Sequence, residues 1–137
     1  MGRILSIDYG KKRTGIAVTD PSQIIATALD VVESEKLIGF LKSYFHKEQV
    51  DAIVIGMPKN LRNEDTEMTP YVRELSKRLE QLFPTKPIHF IDERFTTTIA
   101  HQTMILGGMK KSDRKIKGNA DKIAATIILQ DYLTYKK

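Results

Sequence analysis

The sequence predicts an α/β fold: a mixed, five-stranded sheet with helices on both faces. Three observations lead there. Short apolar runs bounded by turn residues cluster in the first third of the chain. Segments with helical spacing then alternate with further strand-like runs. The run Ala52-Ile53-Val54-Ile55 is apolar without interruption, as in strands covered on both sides.

Arg3 to Tyr9 and Thr14 to Thr19, separated by Gly10-Lys11-Lys12-Arg13, read as a β-hairpin. Ile24 to Val32, beyond Pro21-Ser22, supplies a third β-branched strand. Ser34 precedes Leu37, Phe40, Leu41, Tyr44 and Phe45, whose spacing is helical. Asp51 to Met57 is the next strand and ends at Pro58. Thr69 then stands as a capping residue before Pro70 at the first helical position, with Val72, Leu75, Leu79 and Leu82 along one face. Pro84 and Pro87 close that helix. Ile88 to Asp92 is the last strand, Thr96 to Leu106 a short helix, and Asn119 begins a final helix reaching about Tyr135. No repeat, linker or low-complexity tract interrupts this order, so one domain over residues 1–137 is expected.

Composition narrows the chemistry. With no cysteine, disulfides, thiolate zinc sites and thiol nucleophiles are excluded. No apolar stretch approaches the roughly 20 residues of a membrane span, and a cytoplasmic protein with no membrane partner is expected. The formal charge is +5, and its distribution says more than its size. Residues 1–100 balance fourteen basic against fourteen acidic residues, whereas residues 101–137 carry eight against three. Much of the excess lies in Met109 to Gly118, where Lys110, Lys111, Arg114, Lys115 and Lys117 face one acid, Asp113. Such a segment suits a polyanion.

Several carboxylates occupy positions that core packing does not explain. Asp8 ends the first strand, where strand ends and their loops commonly build sites, although an acid there can also simply cap the turn. Asp121 begins the helical stripe continued by Ala124, Ala125, Ile128 and Tyr132, so an acid is aimed at a core face and needs a partner. A helix N-terminus would also favour it without any metal. Asp92 and Glu93 end the last strand, and alternation sends them to opposite faces. Sequence geometry leaves open which of the two joins a site. Acids at the ends of separate elements suit magnesium or manganese, which prefer oxygen ligands. Two such ions about 4 Å apart support in-line hydrolysis of a phosphodiester. His46, His89 and His101 show no ligand spacing and read as surface or packing residues.

These residues sit in blocks that closely resemble the YqgF family, also called RuvX-like, within the RNase H-like and RuvC-like nucleases. The blocks are Asp8-Tyr9-Gly10-Lys11-Lys12-Arg13-Thr14-Gly15, Gly56-Met57-Pro58, Asp92-Glu93-Arg94-Phe95-Thr96-Thr97, and Asp121-Lys122-Ile123-Ala124-Ala125 with Ile128-Leu129-Gln130. The resemblance implies an RNase H-like sheet and an acidic triad of Asp8, Glu93 and Asp121. It also implies maturation of the 5′ end of pre-16S ribosomal RNA, which would make ribosomal precursor particles partners. Related proteins are described as Holliday-junction resolvases. One departure follows Pro58: the family usually has an asparagine and a glycine-containing turn, whereas Lys59-Asn60-Leu61-Arg62-Asn63-Glu64 has no glycine. Asn60 is the candidate match to that asparagine.

The basic run Lys110 to Lys117, flanked by glycines, is expected to clamp substrate phosphates, with Arg13, Lys59, Asn60 and Arg94 as further contacts. Aromatic residues are 7% of the chain and form no visible stacking platform of the RRM type. Structured RNA, or branched DNA, read through shape and backbone, is therefore the expected partner. A junction resolvase needs a symmetric homodimer, whereas an RNA-trimming enzyme can act as a monomer. Two other functions compete. An actin-like phosphotransferase also begins with a strand, Asp-x-Gly and a hairpin, but binds nucleotide between two related domains. A non-catalytic nucleic-acid-binding module would have little use for carboxylates that repel phosphate.

Overall fold

The β-hairpin expected at the N-terminus forms from β1 (Arg3–Tyr9) and β2 (Arg13–Thr19). The computed structural model describes residues 2–58, 66–92 and 119–136. After the hairpin come β3 (Ala26–Glu33), a 3-10 turn (Ser34–Lys36), α1 (Leu37–Lys47), β4 (Val50–Met57), α2 (Thr69–Leu82), β5 (Ile88–Asp92) and α3 (Asn119–Lys136). The five strands form one sheet in the order β3-β2-β1-β4-β5. The β1–β2 and β2–β3 pairs are antiparallel, β1–β4 and β4–β5 parallel. The expected helix from Thr96 to Leu106 lies outside the described residues.

Strand alternation divides the core in two. Leu5, Ile7, Ile16, Val18, Ile53 and Ile55 pack beneath α1 and α2, meeting Leu37, Leu41, Val72, Leu75 and Leu79. On the other face, Ile4, Ala17, Ala52, Val54 and Ile91 pack under α3 against Ala125, Ile128, Leu129 and Leu133. Small residues bring the α3 backbone close to the sheet. The fully buried Ser6 hydroxyl donates to the Ala125 carbonyl at 2.7 Å, tying β1 to α3.

Polar side chains shift three of the expected element ends. Ile24 and Ile25 do not join β3, because Asp20 Oδ1 accepts both of their N–H groups at 2.8 Å and holds them in a loop. Ser34 does not cap α1. Its hydroxyl donates to the Gly10 carbonyl and its N–H to the Lys12 carbonyl. Thr69 lies inside α2, after an N-cap at Met68. Its hydroxyl accepts from the Thr66 N–H at 2.9 Å and donates to the Pro58 carbonyl at 2.8 Å. The helix is thereby fastened to the end of β4.

Candidate active site

The parallel strands β1, β4 and β5 end along one edge of the sheet. Ile7 pairs with Ile55, and Met57 pairs with Asp92, so the edge brings together the ends carrying Asp8, Gly56-Met57 and Asp92. Asp8 follows Ile4 and Ser6 at strand spacing, on the face covered by α3. Its antiparallel neighbour on β2 is Gly15. On β4, one residue beyond the Ile7–Ile55 pair, stands Gly56. Neither adjoining strand therefore puts a side chain beside Asp8.

The β1–β2 turn is held from outside as well as by the hairpin itself. A Cβ at Gly10 would lie 2.5 Å from the Arg13 carbonyl oxygen, so the turn closes only with glycine there. Ser34 bonds the Gly10 carbonyl, and the Thr14 and Ser34 hydroxyls meet at 2.8 Å. This buttress presents Lys11, Lys12 and Arg13 to solvent beside the carboxyl edge. Arg13 pairs in register with Glu33 across β2–β3.

Asp121 falls in the first turn of α3, one turn before Ala125. On the same helix Ala124, Ala125 and Ile128 are buried as expected, and the Tyr132 ring packs on His89 with centroids 5.3 Å apart. His89 touches α3 through this ring contact while remaining exposed, and His46 also lies on the surface. On β5 the side chains turned toward α3 are His89 and Ile91, whereas Ile88 joins the α1/α2 side. Glu93, Arg94, Lys59, Asn60 and the basic run with Lys110, Lys111, Arg114, Lys115 and Lys117 lie outside the described residues, as does His101.

Residue-by-residue reading overlooked Ser6, although its signal was present. A hydroxyl inside the apolar run Ile4-Leu5-Ser6-Ile7 requires a hydrogen-bond partner once buried. The role of Gly15 and Gly56 as neighbours of Asp8 needed the strand register and carried no such local signal.

A family model described as "RuvX: Holliday junction resolvase" matches residues 2–135. The chain belongs to the RuvX family. A relative from Phocaeicola vulgatus, named "Putative pre-16S rRNA nuclease", is 50% identical over 141 residues, covering 100% of this chain and 99% of its own. A protein of the same name from Flavobacterium psychrophilum is 49% identical, covering 99% of both chains. Among solved structures, Thermus thermophilus RuvC in complex with a Holliday junction substrate superposes with a TM-score of 0.59 at 14% identity. That alignment covers 99% of this chain and 96% of RuvC. The RuvX-family sheet thus has the RNase H-like fold that the sequence motifs implied. Among the described residues, no helix is long and apolar enough to cross a membrane.

Proposed function

We infer that this RuvX-family chain is a metal-dependent nuclease that hydrolyses phosphodiester bonds through Asp8, Glu93 and Asp121. Its substrate is pre-16S ribosomal RNA, which it trims at the 5′ end. The observation that carries this reading is the setting of Asp8, at a strand end on the α3 face with glycines on both adjoining strands. An acid that only capped a turn would need no such row.

Two further features support the rest of the triad. The Ser6–Ala125 bond lies two strand residues from Asp8 and one helical turn from Asp121, steps of about 7 Å and about 6 Å. One anchored contact between β1 and α3 therefore lies within a short step of both backbone positions. On β5 the odd positions His89 and Ile91 face α3, and this parity favours Glu93 over Asp92 as the third member.

An all-carboxylate donor set fits magnesium or manganese, and His89, engaged with Tyr132, is not needed as a ligand. When bound, two such ions supply an activated water and stabilise the leaving oxygen. The protein's own work is to hold the three carboxylates and to orient the substrate. Arg13, Lys59, Asn60, Arg94, Lys110, Lys111, Arg114, Lys115 and Lys117 take the phosphate backbone, fixing register without reading sequence. The substrate assignment draws on relatives about half identical over the whole chain. On this reading the enzyme works in the cytoplasm on ribosomal precursor particles, as a monomer or a homodimer.

End-labelled pre-16S RNA and a four-way DNA junction, each incubated with magnesium or manganese, test this directly. Wild-type protein cuts the RNA at its 5′ side, and Asp8→Asn abolishes the cut while leaving the fold intact by circular dichroism. Preferential cutting of the junction by a dimer would replace RNA maturation with junction resolution. Undiminished cleavage by Asp8→Asn would refute the triad.

A further inference from the structure

Across the sheet edge from Asp8, a cleft opens between Tyr9 at the end of β1 and the first part of α2. Among the described residues it is lined by Tyr9, Tyr71, Glu74, Leu75 and Arg78. The four α2 residues form one helical stripe, with Leu75 buried and Tyr71 50% exposed. Lys11, from the buttressed hairpin turn, places Nζ 5.9 Å from the Tyr71 ring centroid and 3.4 Å from Glu67 Oε1. Tyr9 directly follows Asp8, so this cleft and the carboxylate belong to opposite faces of one strand end.

The lining selects the occupant. The cleft holds about 160 Å³, below the roughly 300–1,000 Å³ of small-molecule pockets. It has room for a ring system and not for a cofactor. Two tyrosines and a buried leucine suit a planar, partly apolar group. Glu74 would repel a phosphate placed inside, while Lys11 and Arg78 attract phosphates on either side. Aromatic surfaces flanked by cations characterise single-stranded nucleic-acid sites. A base within a duplex is already stacked and paired, and cannot enter.

We propose that this cleft seats an unpaired base of the substrate, stacked on Tyr71, with its flanking phosphates on Lys11 and Arg78. The proposal rests on the nuclease reading and adds a substrate requirement to it: an unpaired nucleotide next to the scissile phosphate. The strand crosses the sheet edge at Asp8-Tyr9, presenting a phosphate to one face and a base to the other. Lys11 leaves Glu67 to do so. That ion pair is solvent-exposed, with side chains 55% and 79% accessible, and such pairs contribute little to stability.

The test is fluorescence anisotropy with the full chain and two labelled RNAs, a blunt duplex and the same duplex with a single-stranded 5′ extension, without divalent ions to prevent cleavage. The extended RNA binds more tightly to wild type. Tyr71→Ala weakens binding of the extended RNA by roughly 5- to 100-fold, as loss of a stacking aromatic does, and leaves the blunt duplex unaffected. Tyr71→Phe retains the preference. Arg78→Gln reduces the salt dependence of extended-RNA binding by about one phosphate contact. Equal weakening of both RNAs by Tyr71→Ala, or no weakening of either, would overturn the proposal. Cleavage is scored separately with magnesium. A Tyr71-dependent preference without cleavage keeps the base site and removes the nuclease reading, whereas cleavage without that preference removes the base site alone.

Discussion

Replacing Ser6 by alanine isolates the contact that fastens α3 to β1. The variant loses one buried hydrogen bond of 2.7 Å and one oxygen atom of volume. Its acceptor is not orphaned, because the Ala125 carbonyl lies within α3 and keeps its helical partner four residues on. The cost is therefore that of one net hydrogen bond, about 1 kcal/mol, and not the larger penalty of a stranded buried group. For a chain of this length that corresponds to roughly 3–5 °C in Tm. Ser76→Ala is the matched control. Its hydroxyl also donates to a helix carbonyl at 2.7 Å, that of Arg73, but within α2 and joining no second element. Alanine is the better helix former, so this variant should stay within about 0.5 kcal/mol of wild type. Thermal melts and urea titrations at unchanged m-value measure both. If Ser6→Ala melts like Ser76→Ala, the bond does not anchor α3. A loss above about 3 kcal/mol would show a wider repacking than one removed hydroxyl explains.

Two other perturbations follow from polar side chains at the ends of elements. Thr69→Val keeps the shape of a fully buried residue but strands the Pro58 carbonyl and the Thr66 N–H; urea unfolding should show a loss of about 1–3 kcal/mol, and an unchanged midpoint would refute the fastening of α2 to β4. Asp20 and Asp51 are held below the ordinary carboxylate range, Asp20 chiefly by the N–H groups of Ile25 and Ile24, Asp51 chiefly by that of Gly2. A depressed folded pKa means stability that is fully present above the unfolded value near 3.8 and is lost as pH falls through the folded one. The double variant Asp20→Asn/Asp51→Asn should flatten the decline of Tm below about pH 4, and an equally steep decline would show that neither group is linked to folding.

Most element positions were legible because their signals are local. Ile88 to Asp92 forms a strand with the expected bounds, and the hairpin turn sits at Gly10 to Lys12, with Arg13 already in β2. Errors arose where a side chain acts at a distance. Asp20 captures two N–H groups four and five residues ahead, so β3 starts later than its β-branched run suggests. Ser34 and Thr69 occupy positions that favour capping, yet their hydroxyls serve a neighbouring turn and the end of a strand. Sequence shows a donor without showing which acceptor the fold brings to it. The candidate site divides in the same way. Asp8 announces itself at a strand end, but the choice between Asp92 and Glu93 depends on which face of β5 meets α3. That parity exists only once the helix is docked.

The buried glycines flanking Asp8 weaken their own strands and keep the row beside the carboxylate free of side chains. A glycine inside a strand loses about 0.5–1 kcal/mol relative to alanine through backbone entropy, and it offers no side chain to pack. Gly15 and Gly56 stand together in the row that contains the carboxylate, in the middle strands of a five-stranded sheet. A Cβ at either position would stand in that row on the buried α3 face, so alanine at Gly15 or Gly56 is expected to disturb the setting of Asp8 and, on the nuclease reading, to slow cleavage.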